Sequence, residues 1–303
     1  MAGNQLTQSP VTEPDPLTTG KGAAGLGEIV VFTDGRSETS SILEFAGLLA
    51  EEQGARLIDV FMQPAPAVTT AESFALGTGI REVIEGHQSE LEGIEAHHRS
   101  LFDEIVRRHG IQSRSEWRSL THWSSEVGVH AYYADLVVIA RPERADQVAT
   151  PPDLAESLVL SSGRPIILFP PGGKASRVRR ILVAWNTTRE SIRAAADALP
   201  LLVKADAVEI LIVDSQHPRA GHGQEPGADI ARHLARHGAH VEVQRISSGG
   251  QDVGHLLLSR AAAFHADLVV MGAYGHSQLR EWMFGGVTRT VLYKAGLPVL
   301  MSR

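Results

Sequence analysis

The sequence contains no cysteine among its 303 residues, which excludes disulfide bonds, cysteine-ligated metal sites and thiol catalysis. It also lacks any run of basic residues, and its formal net charge of −7 argues against a nucleic-acid-binding surface. No apolar stretch approaches the roughly 20 residues that a membrane-spanning helix needs. We therefore expect a cytoplasmic protein that binds neither nucleic acid nor membranes.

The first 27 residues are poor in apolar side chains and rich in Thr, Pro and Gly. They lack the basic start and the apolar core of a secretory signal, and we expect residues 1–27 to form a disordered tail. The whole chain is 43% hydrophobic and 21% charged, which is ordinary for a globular protein. Its length suits two domains.

An internal repeat divides the remaining sequence into two copies. The segment ADLVVIA at residues 134–140 recurs as ADLVVMG at residues 266–272. The segment GRPIIL at residues 163–168 recurs as GLPVLM at residues 296–301. The openings of the two copies, EIVVFTD and RILVAWN, also correspond. One domain is therefore written twice in this chain.

The repeat sets the expected domain boundaries. They are a first domain at 28–170, a linker at 171–178 with the sequence PGGKASRV, and a second domain at 179–303. The first copy is longer between its opening strand and its repeated Asp, and we place the additional residues in a lengthened crossover at 64–98.

Short apolar runs alternate with segments of helical period in both copies. The runs are IVVF, LIDVF, DLVVIA and PIILF, then ILVAW, EILIV, VEVQRI, DLVVMG and PVLM. Continuous apolar strands indicate burial on both faces, and their alternation with helices predicts parallel sheets. The expected fold class is α/β, with two tandem doubly wound parallel-sheet domains. Helices are predicted at Glu190–Leu202 and at Ala231–Gly238, where the glycine provides a C-terminal stop.

The stretch SSGGQDVG, residues 247–254, resembles the S-G-G-x-D-S phosphate loop of ATP pyrophosphatases. It follows the third strand of its copy, whereas the pyrophosphatase loop follows the first strand, and Val253 replaces the final Ser. We therefore interpret it as a glycine-rich turn with Asp252 near a helix N-cap. A pyrophosphatase-type enzyme is the less favoured alternative.

A better anion site follows the fourth strand of the second copy. Gly272 and Gly275 leave that strand, and the pair Gly285 and Gly286 opens the last helix. Glycine allows close approach of a ligand to the backbone, and the first amides of a helix have no internal partner. Ligands of open α/β sheets bind at the carboxyl ends of the strands, between the first and fourth strand of such a layer.

The spacing G-x2-G-x9-G, followed by a small residue and then Val-Thr, resembles the ATP-binding loop of the universal stress protein family. The matching residues are Gly272, Gly275, Gly285, Val287 and Thr288. The strands ILVAWNTTRES and LPVLMS are also similar to that family, so the resemblance covers residues 28–303 as a tandem protein. It implies a Rossmann-like fold of the adenine nucleotide alpha hydrolase type.

The resemblance also implies roles for individual residues. The adenine would be bordered by Ala184, Trp185 and Asn186 and lined by Ile212, the ribose would lie near Met271 and Gly272, and the phosphates would be held by Gly275, Gly285, Gly286, Val287 and Thr288. Asn186 stands where the family commonly has Asp, and Gly286 where it has Ser or Thr. The alternative is that these glycines serve only a tight strand-to-helix turn.

The first copy has lost this loop. Its segment ARPERADQVATPPDLAES has no glycine, and it carries carboxylates at Glu143, Asp153 and Glu156, where an anion would sit. Ala140 replaces the first glycine. Prolines remove amide donors and carboxylates repel phosphate, so we expect a degenerate partner domain although Asp34 survives on its first strand.

Other candidate chemistry is weak, and we expect no catalytic or metal-binding residues. His233 with His237, and His217 with His222, lack a third ligand, and the Gly275-His276-Ser277 segment lacks the remainder of a nucleophile elbow.

The predicted function is that of an ATP-binding universal stress protein, with or without Mg²⁺. It would act in stress response or signalling through nucleotide-dependent conformation or an unknown protein partner, with at most slow ATP hydrolysis. The alternative is a nucleotide-free structural or interaction module of the same fold.

The closing strands of the two copies, Pro165–Phe169 and Pro298–Ser302, would each leave an exposed sheet edge. We expect these edges to pair with each other within one chain, as an intramolecular pseudo-dimer. Pairing between two chains in a homodimer is the alternative.

Overall fold

A computed structural model describes residues 25–35, 39–64, 80–120, 127–141, 154–214, 225, 227–273 and 286–303. Its strands are β1 Glu28–Thr33, β2 Arg56–Met62, β3 Ser115–Leu120, β4 Leu136–Ala140, β5 Ile166–Phe169, β6 Arg180–Ala184, β7 Ala207–Val213, β8 Val241–Ile246, β9 Leu268–Gly272 and β10 Val299–Ser302. Its α-helices are α1 Thr39–Gln53, α2 Ile80–Arg108, α3 Val127–Tyr132, α4 Leu154–Ser161, α5 Arg189–Asp197, α6 Leu199–Lys204, α7 Ala228–Arg236, α8 Val253–Ala263 and α9 Gly286–Lys294.

The strands form one ten-stranded sheet in the order β3-β2-β1-β4-β5-β10-β9-β6-β7-β8. All neighbours within each half are parallel, and the order of the five strands is the same in both halves. Helices α1, α2, α5, α6 and α7 bury one face, and α3, α4, α8 and α9 bury the other. This confirms the predicted α/β fold class, with two doubly wound parallel halves that share one sheet.

The two halves meet where β5 pairs with β10, and this pair is antiparallel. Val299 lies opposite Leu168, and Met301 lies opposite Ile166. Both strands are buried throughout. The expected pairing of the closing strands within one chain is confirmed. Each strand thereby supplies hydrogen-bond partners for the backbone N–H and C=O groups at the other strand's edge.

The repeated Asp has the same structural role in both halves. Asp135 Oδ2 accepts the backbone N–H groups of Gly27 at 2.8 Å and Glu28 at 3.0 Å. Asp267 Oδ2 accepts those of Arg179 at 2.9 Å and Arg180 at 2.8 Å. The carboxylate therefore fixes the start of the first strand of its half, at the sheet edge opposite the carboxyl ends of the strands.

Two details of the sequence prediction were wrong. Strand β3, SEWRSL, was missed because it is an edge strand without an apolar run, and none of its residues is fully buried. The helix predicted over Glu190–Leu202 is broken at Ala198 into α5 and α6. Pro200 lies in the first turn of α6, where its missing N–H costs least, and its presence favours a new helix start there.

Other expectations agree with the structure. The crossover helix α2 has 29 residues, whereas α7 has 9, so the first copy is longer in the expected segment. Gly238, after α7, has a φ of 97°, the left-handed conformation expected of a glycine stop. Among the described helices, none combines the length and apolar content required to cross a lipid bilayer.

Ion pairs also join the halves, along the predicted linker. Arg177 Nη1 lies 2.7 Å from Glu52 Oε1 at the end of α1, and Arg179 Nη2 lies 2.7 Å from the same oxygen. Arg177 Nη2 also contacts Glu51 at 3.2 Å. These contacts lie on the face opposite to α9.

Candidate functional site

The candidate site lies at the carboxyl ends of β6 and β9, which are adjacent parallel strands. Ala184, the last residue of β6, lies opposite Met271, and Gly272 ends β9. The structure therefore places the predicted residues Ala184, Trp185, Met271 and Gly272 at one edge. This is the point between the first and fourth strands of the second half, where open α/β sheets bind ligands.

The predicted base-lining side chains lie on two faces of the sheet. Ala184 and Met271 pack beneath α8 and α9, whereas Trp185 and Ile212 pack towards α5, α6 and α7. Ile212 is only 6% exposed, and a Cβ on Gly227 would lie 2.5 Å from its Cδ1. A ligand at this edge would therefore meet mainly the backbone of these residues.

Asn186 shapes the turn between β6 and α5. Its Oδ1 accepts the backbone N–H of Thr188 at 3.2 Å and the Thr188 hydroxyl at 2.8 Å. Thr188 is in turn the N-cap of α5 and accepts the Ser191 N–H at 3.4 Å. Thr187 between them has a φ of 61°. The carbonyl end of the exposed Asn186 amide is therefore engaged, and its nitrogen is the end that can donate to a ligand.

Gly272 has a packing role of its own. A Cβ at this position would lie 2.5 Å from the carbonyl carbon of Glu190 and 2.6 Å from the Ser191 nitrogen. Only glycine lets the first turn of α5 approach the end of β9 so closely. Gly272 therefore has a packing reason apart from any ligand, but that reason is the contact with α5 and not a tight strand-to-helix turn.

Gly286, the first residue of α9, differs from Gly272. It is exposed, and a Cβ built on it would meet no described atom within 4 Å. Val287 packs partly into the core and Thr288 is 6% exposed, so the first turn is anchored on its inner side. The first amides of α9 have no intrahelical partner and lie at the positive end of the helix dipole. Gly275 and Gly285 lie outside the described residues.

The loop at 247–254 is a turn and a helix cap. Asp252 is the N-cap of α8, and its Oδ1 accepts the His255 N–H at 2.8 Å, which lowers the pKa of this carboxyl below its usual value. Gly249 and Gly250 have φ values of 55° and 85°. The loop follows the edge strand β8, which β6 and β7 separate from β9. The structure supports the turn interpretation.

The first half contains a buried polar cluster that joins the end of β1, the middle of β2 and helix α2. The Thr33 hydroxyl donates to Asp59 Oδ1 at 2.7 Å, and His98 Nε2 of α2 lies 2.6 Å from Asp59 Oδ2. The His98 ring stacks on Phe61 with 4.3 Å between centroids. All three polar residues are at most 3% exposed. Asp34, next in the chain, is 6% exposed.

Sequence reasoning missed this cluster because its members come from three separate elements. The one available signal was Asp59, a charged residue inside the apolar run LIDVFM. A buried carboxylate needs a nearby donor, and that donor could not be identified from periodicity.

Of the predicted repulsive carboxylates, Glu156 lies in the first turn of α4 and accepts the Tyr293 hydroxyl at 2.8 Å. Glu143 and Asp153 lie outside the described residues. So do His217, His222, His276 and Ser277.

His233 and His237 contact each other edge to face, with 4.9 Å between ring centroids. Within the described parts of the chain, no group of three His, Asp or Glu side chains could hold a metal ion.

Comparison with known proteins bears on the family and the fold. The sequence model of the Universal stress protein family matches residues 177–303. The fold is similar to that of a universal stress protein from Archaeoglobus fulgidus DSM 4304, at a TM-score of 0.63 and 15% identity over 91% of this chain and 96% of that chain. No curated protein matches the sequence.

Two structures from Pseudomonas aeruginosa are also similar. One is a putative universal stress protein from UCBPP-PA14, at a TM-score of 0.54 and 15% identity over 91% of this chain and 93% of that chain. The other is a functionally unknown protein from PAO1, at a TM-score of 0.51 and 14% identity over 91% and 92% of the two chains. At these identities the likeness concerns the fold.

Proposed function

We propose that the universal stress protein domain at residues 177–303 binds one adenine nucleotide, ATP, and that the first half binds none. The observation that carries this proposal is the open start of α9 beside the carboxyl ends of β6 and β9. The chain would act in stress response or signalling, with the nucleotide changing its conformation or its affinity for a protein partner.

The phosphates would lie against the first turn of α9. Its unpaired amides supply donors, its dipole favours negative charge, and Gly286 leaves the approach open. The ribose would lie near Met271 and Gly272. The base would lie beside Trp185 and Asn186, with the Asn186 nitrogen as a donor to a ring nitrogen.

The absence of a hydroxyl at Gly286 should weaken binding modestly. A neutral hydrogen bond contributes about 1 kcal/mol, so the domain would bind ATP more weakly by a few-fold than one with Ser at this position. No residue pair in the sequence suggests a base that activates water, and we expect at most slow hydrolysis.

Isothermal titration calorimetry of the full chain should give about one ATP per chain, because the first copy has carboxylates and prolines in place of the glycines of the second. Mass spectrometry of the small molecules released on denaturation would identify any nucleotide that copurifies. A stoichiometry near two would show that the first half also binds, and no binding at all would favour the nucleotide-free interaction module.

A further inference from the structure

The C-terminal end of α9 is held by the first half of the chain. The Tyr293 hydroxyl of α9 donates to Glu156 Oε1 of α4 at 2.8 Å. Just beyond the helix, the Ala295 carbonyl accepts a hydrogen bond from Arg141 Nη1 at 2.6 Å. Helices α4 and α9 pack on the same face of the sheet, on either side of the β5–β10 pair.

The Arg141 contact is a helix cap supplied by another domain. The Ala295 N–H closes the last turn of α9 on the Val291 carbonyl at 3.0 Å, so the Ala295 carbonyl belongs to the end of the helix that has no internal donor. A guanidinium there satisfies that carbonyl through a charge-assisted bond and lies at the negative end of the dipole.

Among the described residues, this contact has no counterpart in the opposite direction. The Arg141 N–H bonds to the Phe169 carbonyl at 2.7 Å, and the Ala273 N–H bonds to the Ser302 carbonyl at 2.8 Å, so Arg141 and Ala273 occupy equivalent positions after the fourth strands. Ala273 is fully buried and has no side-chain donor. The second half therefore cannot cap α4 in the same way.

We infer that the first half serves as a positioning domain for the nucleotide site of the second half, with Arg141 and the Tyr293–Glu156 pair fixing α9. A helix that is held at its far end presents its first amides in a fixed place, so less ordering is required when phosphates bind. The inference rests on the proposed function, because it explains why phosphates would bind well at the start of α9.

The test compares two ligands, ATP and adenosine, which lacks the phosphates. In the double variant Arg141→Gln, Tyr293→Phe, ATP affinity measured by calorimetry should fall about tenfold. Adenosine binding, followed by ligand-observed NMR because it is weak, should change less than about twofold. The double variant Arg141→Lys, Tyr293→Phe keeps the charge and a donor at position 141. It should bind ATP more tightly than the variant with Gln at that position.

Arg177→Gln is the matched control. It also breaks ion pairs between the halves, to Glu51 and Glu52, but it does not touch α9. It should leave the affinities for both ligands at the parent values. If the double variant melts early, Tyr293→Phe alone removes a single hydroxyl and should show the same selective loss of ATP, at smaller size.

Equal weakening of ATP and adenosine, or no change in either, would overturn the inference while the proposed function stands. A parent protein that binds neither ligand would instead refute the proposed function, and the inference with it.

Discussion

Replacing Gly286 with Glu should lower the affinity for ATP by about a hundredfold or more. A carboxylate at contact distance from a phosphate, at an effective dielectric near 20, costs on the order of a few kcal/mol. The position is exposed and open, so the side chain fits without strain. An acidic residue in the first turn of a helix also favours the helix, so the loss of binding should not be accompanied by unfolding.

Two control variants isolate the charge and the position. Gly286→Gln has nearly the same size without the charge and should lose much less affinity. Gly296→Glu places the same charge beyond the other end of α9, at a glycine that is likewise open, and should bind ATP within a few-fold of the parent. If Gly286→Glu keeps parental affinity in calorimetry while melting near the parent, the phosphates do not bind at the start of α9.

Replacing His98 with Leu should have the largest effect on stability. The change leaves the Asp59 carboxylate, which is fully buried, with the Thr33 hydroxyl as its remaining partner in the cluster. Removing one partner of a buried polar pair typically costs about 3–5 kcal/mol. Urea denaturation should show this loss. ATP binding by the folded fraction should be unchanged, because α2 packs on the sheet face opposite to α4 and α9.

The control is the triple variant Thr33→Val, Asp59→Leu, His98→Leu. It replaces the whole cluster with apolar side chains of similar volume, so no polar group is left unpaired, and it should recover most of the lost stability. A His98→Leu variant as stable as the parent would mean that Asp59 needs no partner from α2.

The parts of the fold that could be predicted depend on local pattern. Strands such as β4 and β9 are buried on both faces, so their apolar runs are continuous and visible in the sequence. The repeat then indicated one fold written twice, and the exposed edges expected at β5 and β10 predicted their pairing. Edge strand β3 and the break between α5 and α6 were missed, because neither is marked by an apolar period.

The site was only partly predictable, for a different reason. The glycine at 272 could be identified. Its contact with Glu190 in the first turn of α5 depends on how a helix docks on a strand 82 residues away in the chain, which no local pattern encodes. The Arg141 contact with the Ala295 carbonyl joins residues 154 positions apart. Glu156 was interpreted as a charge that repels phosphate, whereas in the structure it accepts a bond from the other half.

The most direct test of the account is photolabelling of the full chain with a photoreactive azido-adenine analogue of ATP, followed by peptide mapping. We expect one label per chain, on peptides of residues 179–303 that include the turn at Trp185 and Asn186, and we expect it to disappear in Gly286→Glu. Labelling within residues 28–170, or on the loop at 247–254 with Gly286→Glu still labelled, would contradict a single nucleotide site at β6, β9 and α9.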